Sequence, residues 1–413
     1  MQQFSKNAVF SYGLFGLPMA LVGLPIYVYA PQFYAENFGL SLTLIGTALL
    51  IIRISDACID PLIGQWVDQH KSRTGYDRFI LISLPLLALG FIALFHPPVM
   101  GTATTVIWFL SALLVVYTGF SIATIAYQSW GAALTQAQSE RSRLTATREG
   151  SGLIGLIAAA ALIGWLGFTW LIVVFIATLC IGATILLRYA PRARSDIPLH
   201  HGIAAMTEPF RNRRFRWLFS AFVMNGIAAA IPATLFLFFV NDGLQLPQYA
   251  GPFLVLYFIA AACSMPLWSR LARQHGEARI WLLAMLLSAL VFIWAFALPA
   301  GAAWPFGVIC ILSGMALGAD LALPPALLAA VIGKAGHSGQ REGAYFGAWS
   351  WATKMNLALA AGIALPLLEK LGYQPGVHLD QGIYALAVAY ALLPCALKLI
   401  AAAILARAPL YDI

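Results

Sequence analysis

The sequence predicts an all-α membrane protein of twelve transmembrane helices in two six-helix bundles. Three observations carry that prediction. Of 413 residues, 61% are hydrophobic and only 10% are charged, whereas a soluble domain carries about 25% charged residues. The apolar residues fall into runs of the ~20 residues that a helix needs to cross a hydrocarbon core about 30 Å thick. The basic residues gather in alternate loops, which marks those loops as cytoplasmic.

The first span covers about 8–30. It follows a start with only Lys6, is longer than the apolar core of a secretory leader, and lacks a clear cleavage site. Hydrophobic runs between loop signals place the next five spans at about 41–67, 79–97, 104–133, 146–166 and 168–189. The second six cover about 215–240, 248–268, 278–299, 304–333, 343–371 and 381–406. The longest polar stretch separates the two sets and contains Arg192, Arg194, His200, His201, Arg211, Arg213 and Arg214. The chain therefore divides into an N-terminal bundle (1–190), a cytoplasmic linker (191–214) and a C-terminal bundle (215–413).

Lys71, Arg73 and Arg78 follow span 2, Arg141 and Arg143 follow span 4, and Arg270, Arg273 and Arg279 follow span 8. Lys334 and Arg341 follow span 10 and Arg407 follows span 12, while the opposite loops carry Lys370 and little else. Both termini are thus expected in the cytoplasm of a bacterial-type inner membrane. The net charge of +8 is an orientation signal rather than a nucleic-acid surface. The expected partners are the bilayer and a small molecule, met by a monomer. Cys58, Cys180, Cys263, Cys310 and Cys395 stand singly in apolar segments, and the seven histidines show no metal-binding spacing. No cofactor is expected. Without a nucleophile–base pair or a mid-membrane histidine, an intramembrane enzyme is not expected either.

A weak internal repeat fits the six-plus-six plan. Span 4 runs on through Tyr127–Leu134 to Arg148-Glu149-Gly150, and span 10 runs on through Pro325–Ile332 to Arg341-Glu342-Gly343.

Charges inside the apolar runs point to chemistry. Arg53, Asp56 and Asp60 lie at i−3, i and i+4 on one helical face in the middle of span 2. Each such charge costs roughly 2.5–3.5 kcal/mol at the centre of an isolated span. Two carboxylates one turn apart repel unless a proton or cation sits between them. Asp56 and Asp60 are therefore candidate cation ligands, with Ser55 and Thr47 as candidate hydroxyls; the blander reading has Arg53 neutralise them in a fixed ion pair. Lys354, deep in span 11, needs an anion or must snorkel to the interface. Its candidate partners are the span 2 acids and Asp320. Asp320 precedes Pro324-Pro325, a pair that breaks or kinks a helix and so favours a cavity lining. It reads equally as a substrate contact and as a pair with Lys354. Tyr127, Trp349 and Trp351 are candidate cavity aromatics, although Tyr and Trp also collect at membrane interfaces without a ligand.

The loop after span 2 carries a resemblance. Asp60-Pro61-Leu62-Ile63-Gly64-Gln65-Trp66-Val67-Asp68, followed by Lys71-Ser72-Arg73-Thr74-Gly75-Tyr76-Asp77-Arg78, resembles the Gly-x-x-x-Asp…Arg-x-Gly…Arg loop of the major facilitator superfamily. Within it, Asp-x-x-x-Asp-Pro-x-x-Gly with Ser-Arg-x-Gly is similar to the glycoside–pentoside–hexuronide:cation symporters, the melibiose permease family. Arg341–Gly347, Thr353-Lys354 and Gly372-Tyr373 resemble that family in the second half. The resemblance implies that Asp56 and Asp60 bind the coupling cation, Na⁺ or H⁺, and that Lys354 couples cation to substrate. It implies that Arg148 stands at the sugar site. The family's sugar-gripping acids fall at Pro18 (or Met19) and Thr124 here, which puts a galactoside substrate in doubt.

The expectation is a cation-coupled symporter of a small organic or glycoside-like substrate. Asp56 and Asp60 take the ion, and Lys354 couples. Arg148, Thr124, Tyr127, Asp320, Trp349 and Trp351 line the substrate path, and Asp68, Arg73 and Arg78 latch the cytoplasmic side. The alternatives are a carrier of a lysolipid-like amphiphile and a proton-coupled drug antiporter with Asp320 as anchor.

Overall fold

The computed structural model describes residues 4–98, 101–134, 138–191, 208–336, 342–377 and 380–411. Arg192, Arg194, His200, His201 and Arg341 lie outside them. All regular structure among the described residues is helical. In chain order the α-helices are α1 (Lys6–Gly13), α2 (Gly16–Leu24), α3 (Ala30–Phe38), α4 (Leu42–Thr74), α5 (Asp77–Phe95), α6 (Thr102–Leu134) and α7 (Gln138–Tyr189). They continue as α8 (Arg213–Phe238), α9 (Ala250–His275), α10 (Glu277–Phe292), α11 (Ala303–Lys334), α12 (Glu342–Lys370), α13 (Asp380–Ala387) and α14 (Leu393–Ala406). Eleven stretches of the described residues are long and apolar enough to cross a membrane.

The predicted twelve and the observed eleven are reconciled at Gly167. The fifth stretch, Arg143–Tyr189, has 47 residues, about 70 Å as a straight helix and far too long for one crossing. Gly167 interrupts it at φ 81°, ψ −179°, a conformation open to glycine and costly for other residues. The two arms fold back on each other. Gly155 abuts Leu17 and Ala20, while Gly182 abuts Phe15 and Pro18, so both arms pass the same level of α2; in a straight helix those two glycines would stand about 40 Å apart. The break falls between the predicted spans 5 and 6.

Span 1 is longer than expected, reaching Phe38. Pro25 lacks an amide donor, and a π turn over Pro25–Tyr29 absorbs the mismatch between α2 and α3. At the other end of α4, Gly75 takes φ 68° and ends the helix in a left-handed turn. This is the glycine of the Arg-x-Gly loop motif, so the motif has a backbone reason.

Two compact units emerge. The first ends at Ala30, resumes at Ile54 and continues to the linker; the second takes Pro31–Arg53 together with the chain after the linker. This differs from the contiguous division expected from sequence. The segment 31–53 joins the second unit because its small residues let backbones meet. Gly46 lies against Ala361, Leu365 and Pro366, and Gly362 lies against Leu50. Glu369 of α12 also accepts a hydrogen bond from the Thr43 amide at the start of α4, where the free N–H groups and the helix dipole favour an anion.

Inside the first unit, α5 and α6 are tied where Trp108 Nε1 donates to Ala93 O at 2.8 Å. Inside the second, Ser264 Oγ and Trp268 Nε1 of α9 both donate to Met315 O of α11, at 2.9 and 2.7 Å. Beyond α12, the buried Tyr373 hydroxyl donates to Asp242 Oδ2 at 2.5 Å, and the Gly376 amide donates to the same oxygen at 3.1 Å. Burial first, and then the nearby Asp242 charge, push the Tyr373 phenol far above its usual range. The Gly372-Tyr373 element thus ties the end of α12 to the end of the eighth helix.

Candidate functional site

In the first unit, α4 carries Asp56 and Asp60 one turn apart. Asp56 is buried, and Ser121 Oγ of α6 donates to its Oδ1 at 2.5 Å. Ser121 is itself 1% exposed, so the bond is shielded from competing water and gains strength. Sequence reasoning named Ser55 and Thr47 as hydroxyl partners. Thr47 instead is exposed and donates to Thr43 O on its own helix at 2.7 Å. Ser121 was missed, although it stands one helical turn before Thr124, a position already singled out. Thr124 is half-buried on the same helix, and Asp60 is half-buried. The described residues contain no group of three or more His, Cys, Asp or Glu placed to hold a metal. What the site offers a cation or proton is two carboxylates and a hydroxyl.

Arg148 is brought together with Tyr127 through a residue not predicted, Tyr12. The Tyr12 and Tyr127 rings lie 4.6 Å apart. Tyr127 Oη donates to Tyr12 O at 2.6 Å, and Tyr12 Oη donates to Tyr127 O at 3.1 Å. The Arg148 guanidinium also stands near enough to the Tyr12 hydroxyl to interact with it electrostatically, and it pairs with Glu149 at 2.7 Å. Tyr127 is 3% exposed, so it clamps α6 to the first helix. Arg148 keeps a partly open side chain, 23% exposed, and its partner Glu149 is 61% exposed.

In the second unit, Lys354 is half-buried in the middle of α12. The two tryptophans divide. Trp349 stacks on Phe222 of α8 with centroids 3.6 Å apart, whereas Trp351, about 200° further round the helix, is 44% exposed. The cation that pairs with Asp320 is Lys398 of α14, not Lys354 as the sequence reading allowed. Lys398 Nζ stands 3.0 Å from Asp320 Oδ2, and Trp281 Nε1 of α10 donates to Oδ1 at 2.8 Å. Both oxygens are engaged, which leaves Asp320 little capacity for a substrate. Lys398 lies in a span whose apolar run masked it.

Of the expected cytoplasmic latch, Arg78 is exposed in the first turn of α5. The side chains of Asp68 and Arg73 lie outside the described residues.

Comparison with known proteins bears on the whole chain. The family described as MFS/sugar transport protein matches residues 11–412. YagG of Escherichia coli (strain K12), named as a candidate glycoside/cation symporter, is 22% identical over 321 residues, covering 71% of this chain and 68% of its own length. The isoprimeverose transporter of Lactiplantibacillus pentosus is 29% identical over 148 residues, covering 35% of this chain and 31% of that protein. An uncharacterized symporter of Bacillus subtilis (strain 168), YjmB, is 25% identical over 125 residues and is matched over 27% of its length. These last two matches thus span about a third of the relatives' lengths or less. The crystal structure of a point mutant of the nucleoside transporter NupG superposes with TM-score 0.74 at 14% identity, over 97% of this chain and 99% of that one. A bacterial homologue of the iron transporter ferroportin in an outward-facing state superposes with TM-score 0.66 at 15% identity, over 98% and 99%. At such identities the structural likeness shows the fold alone.

Proposed function

The chain belongs to the MFS/sugar transport protein family, and we propose that this transporter is a cation-coupled symporter of a small organic or glycoside-like substrate, working by alternating access. The observation that carries the proposal is Asp56, buried with a donated hydroxyl from Ser121 and one helical turn from Asp60. Such a pair repels itself unless a proton, a bound cation or a cationic side chain offsets the charge of the carboxylates. In this reading Na⁺ or H⁺ occupies Asp56 and Asp60, Lys354 couples, Arg148 meets the substrate, and Asp68, Arg73 and Arg78 latch the cytoplasmic side. A gradient drives uptake when cation and substrate together favour the closed intermediate.

The test is glycoside accumulation by proteoliposomes under an imposed Na⁺ or pH gradient. Asp56→Asn and Asp60→Asn are expected to abolish accumulation at near-normal protein levels. Accumulation undiminished in both would overturn the cation site. A lysolipid-like amphiphile is a second reading, favoured by buried Pro18 and Met19 where the family's first sugar acid falls. Drug antiport anchored on Asp320 loses its support, because Lys398 and Trp281 hold that carboxylate.

A further inference from the structure

The helices α8 and α12 run side by side in the same direction within the second unit. Phe215 meets Tyr345 with ring centroids at 4.9 Å, Phe222 stacks on Trp349, and Gly226 then receives Asn356. The contact at Gly226 is so close that a Cβ there would overlap the Asn356 amide nitrogen. Asn225, the neighbour of that glycine, and Asn356 are each 4% exposed. The side-chain oxygen of each is closed to solvent and has no hydrogen-bond partner among the described residues. Two orphaned amide oxygens, one on Asn356 at the seam and one on Asn225 just before the glycine that Asn356 packs against, are a costly arrangement for a resting protein, since buried acceptors are almost always satisfied. An apolar residue would serve the packing better.

We propose that Asn225 and Asn356 form a substrate subsite that accepts hydrogen bonds from hydroxyl groups of a polyhydroxylated substrate, beside the Phe222–Trp349 stack. This deepens the glycoside reading and rests on it. An orphaned amide oxygen needs a donor, and a hydroxyl is one. A hard cation wants several oxygens, whereas the side chains here offer two amide oxygens. The stack on the same face of each helix supplies the aromatic wall that small-molecule sites pair with a few polar groups. The oxygens are closed in this structure, so the substrate meets them when α8 and α12 part. Gly226, lacking a side chain, lets one helix slide over the other.

The test uses the full-length protein in nanodiscs with a panel of methyl pentosides and methyl hexosides. It then uses the monodeoxy analogues of whichever glycoside binds wild type. Asn225→Leu and Asn356→Leu each replace the amide with an apolar group of similar size. Each is expected to weaken binding of the parent glycoside by about tenfold or more. One monodeoxy analogue is expected to bind wild type and variant alike, and the ligand-free thermal midpoint is expected to hold or rise. Asn356→Asp, which keeps the acceptor, is expected to retain binding, and Asn→Ala variants serve where leucine prevents folding. The inference is overturned if wild type and variants bind the parent glycoside equally. It is also overturned if the variants lose thermal stability and weaken every glycoside and analogue to the same degree, which marks a structural or water-filled seam. If wild type binds no glycoside at all, the glycoside reading itself has failed.

Discussion

Breaking the Asp320–Lys398 pair tests whether this intramembrane acid holds the fold or the cargo. The pair is set among α10, α11 and α14, with both side chains 11% exposed and an N–O distance of 3.0 Å. Lys398→Met leaves a buried carboxylate with the Trp281 indole as its donor, and Asp320→Asn keeps an acceptor for Trp281 but strands the ammonium. Removing one member of a buried pair costs about 3–5 kcal/mol, and the small exposure here calls for little discount for solvent screening. Replacing both members costs far less, because desolvation of two charges offsets most of their attraction. The double variant Asp320→Asn/Lys398→Met is therefore expected within about 1 kcal/mol of wild type, with a coupling of several kcal/mol in the cycle. Equilibrium unfolding in mixed micelles measures the cycle. Substrate affinity is read in the same samples. Both single variants lying within about 1 kcal/mol of wild type would refute the structural assignment. So would a stable double variant that has lost substrate affinity, since Asp320 would then be gripping the cargo.

Two further outcomes are expected. Lys354→Ala is expected to leave some cation binding but to remove the cation-dependent gain in substrate affinity, measured by titrating substrate with and without Na⁺ or at two pH values; a full gain in the variant assigns coupling elsewhere. Tyr373→Phe removes the hydroxyl that bonds Asp242 and is expected to cost about 1–3 kcal/mol by leaving a buried acceptor short. The Tyr373 pKa is raised on folding. Its contribution is therefore complete below the unfolded value near 10 and is lost as pH rises above it. Wild type should show an alkaline loss of thermal stability that is smaller in the phenylalanine variant, and identical alkaline profiles would count against the assignment.

The sequence made depth and order legible, because both are written along one dimension. Apolar run lengths gave the spans, and even the sharp turn at Gly167 fell between spans 5 and 6, where 47 residues of helix cannot fit one crossing. Faces of single helices were legible too: the 3.6-residue period puts Asp56 beside Asp60. What stayed hidden was which residue stands opposite. Ser121 on Asp56, Tyr12 on Arg148 and Lys398 on Asp320 each come from another span, and a span's rotation about its axis leaves no trace in its own hydropathy. That explains why Lys354 looked like the partner of Asp320: it was the lysine most conspicuously far from a helix end. It explains Asn225 and Asn356 as well. An amide carries no charge, so it costs a hydropathy pattern little and escapes notice there, yet its oxygen costs as much to bury unpaired as other polar groups. Charge marks where a membrane protein must neutralise itself, as at Asp56 and Asp60 in α4 and at Asp320 and Lys398 in α11 and α14, whereas a buried neutral acceptor without a donor, as on Asn225 and Asn356, leaves no comparable mark in the sequence.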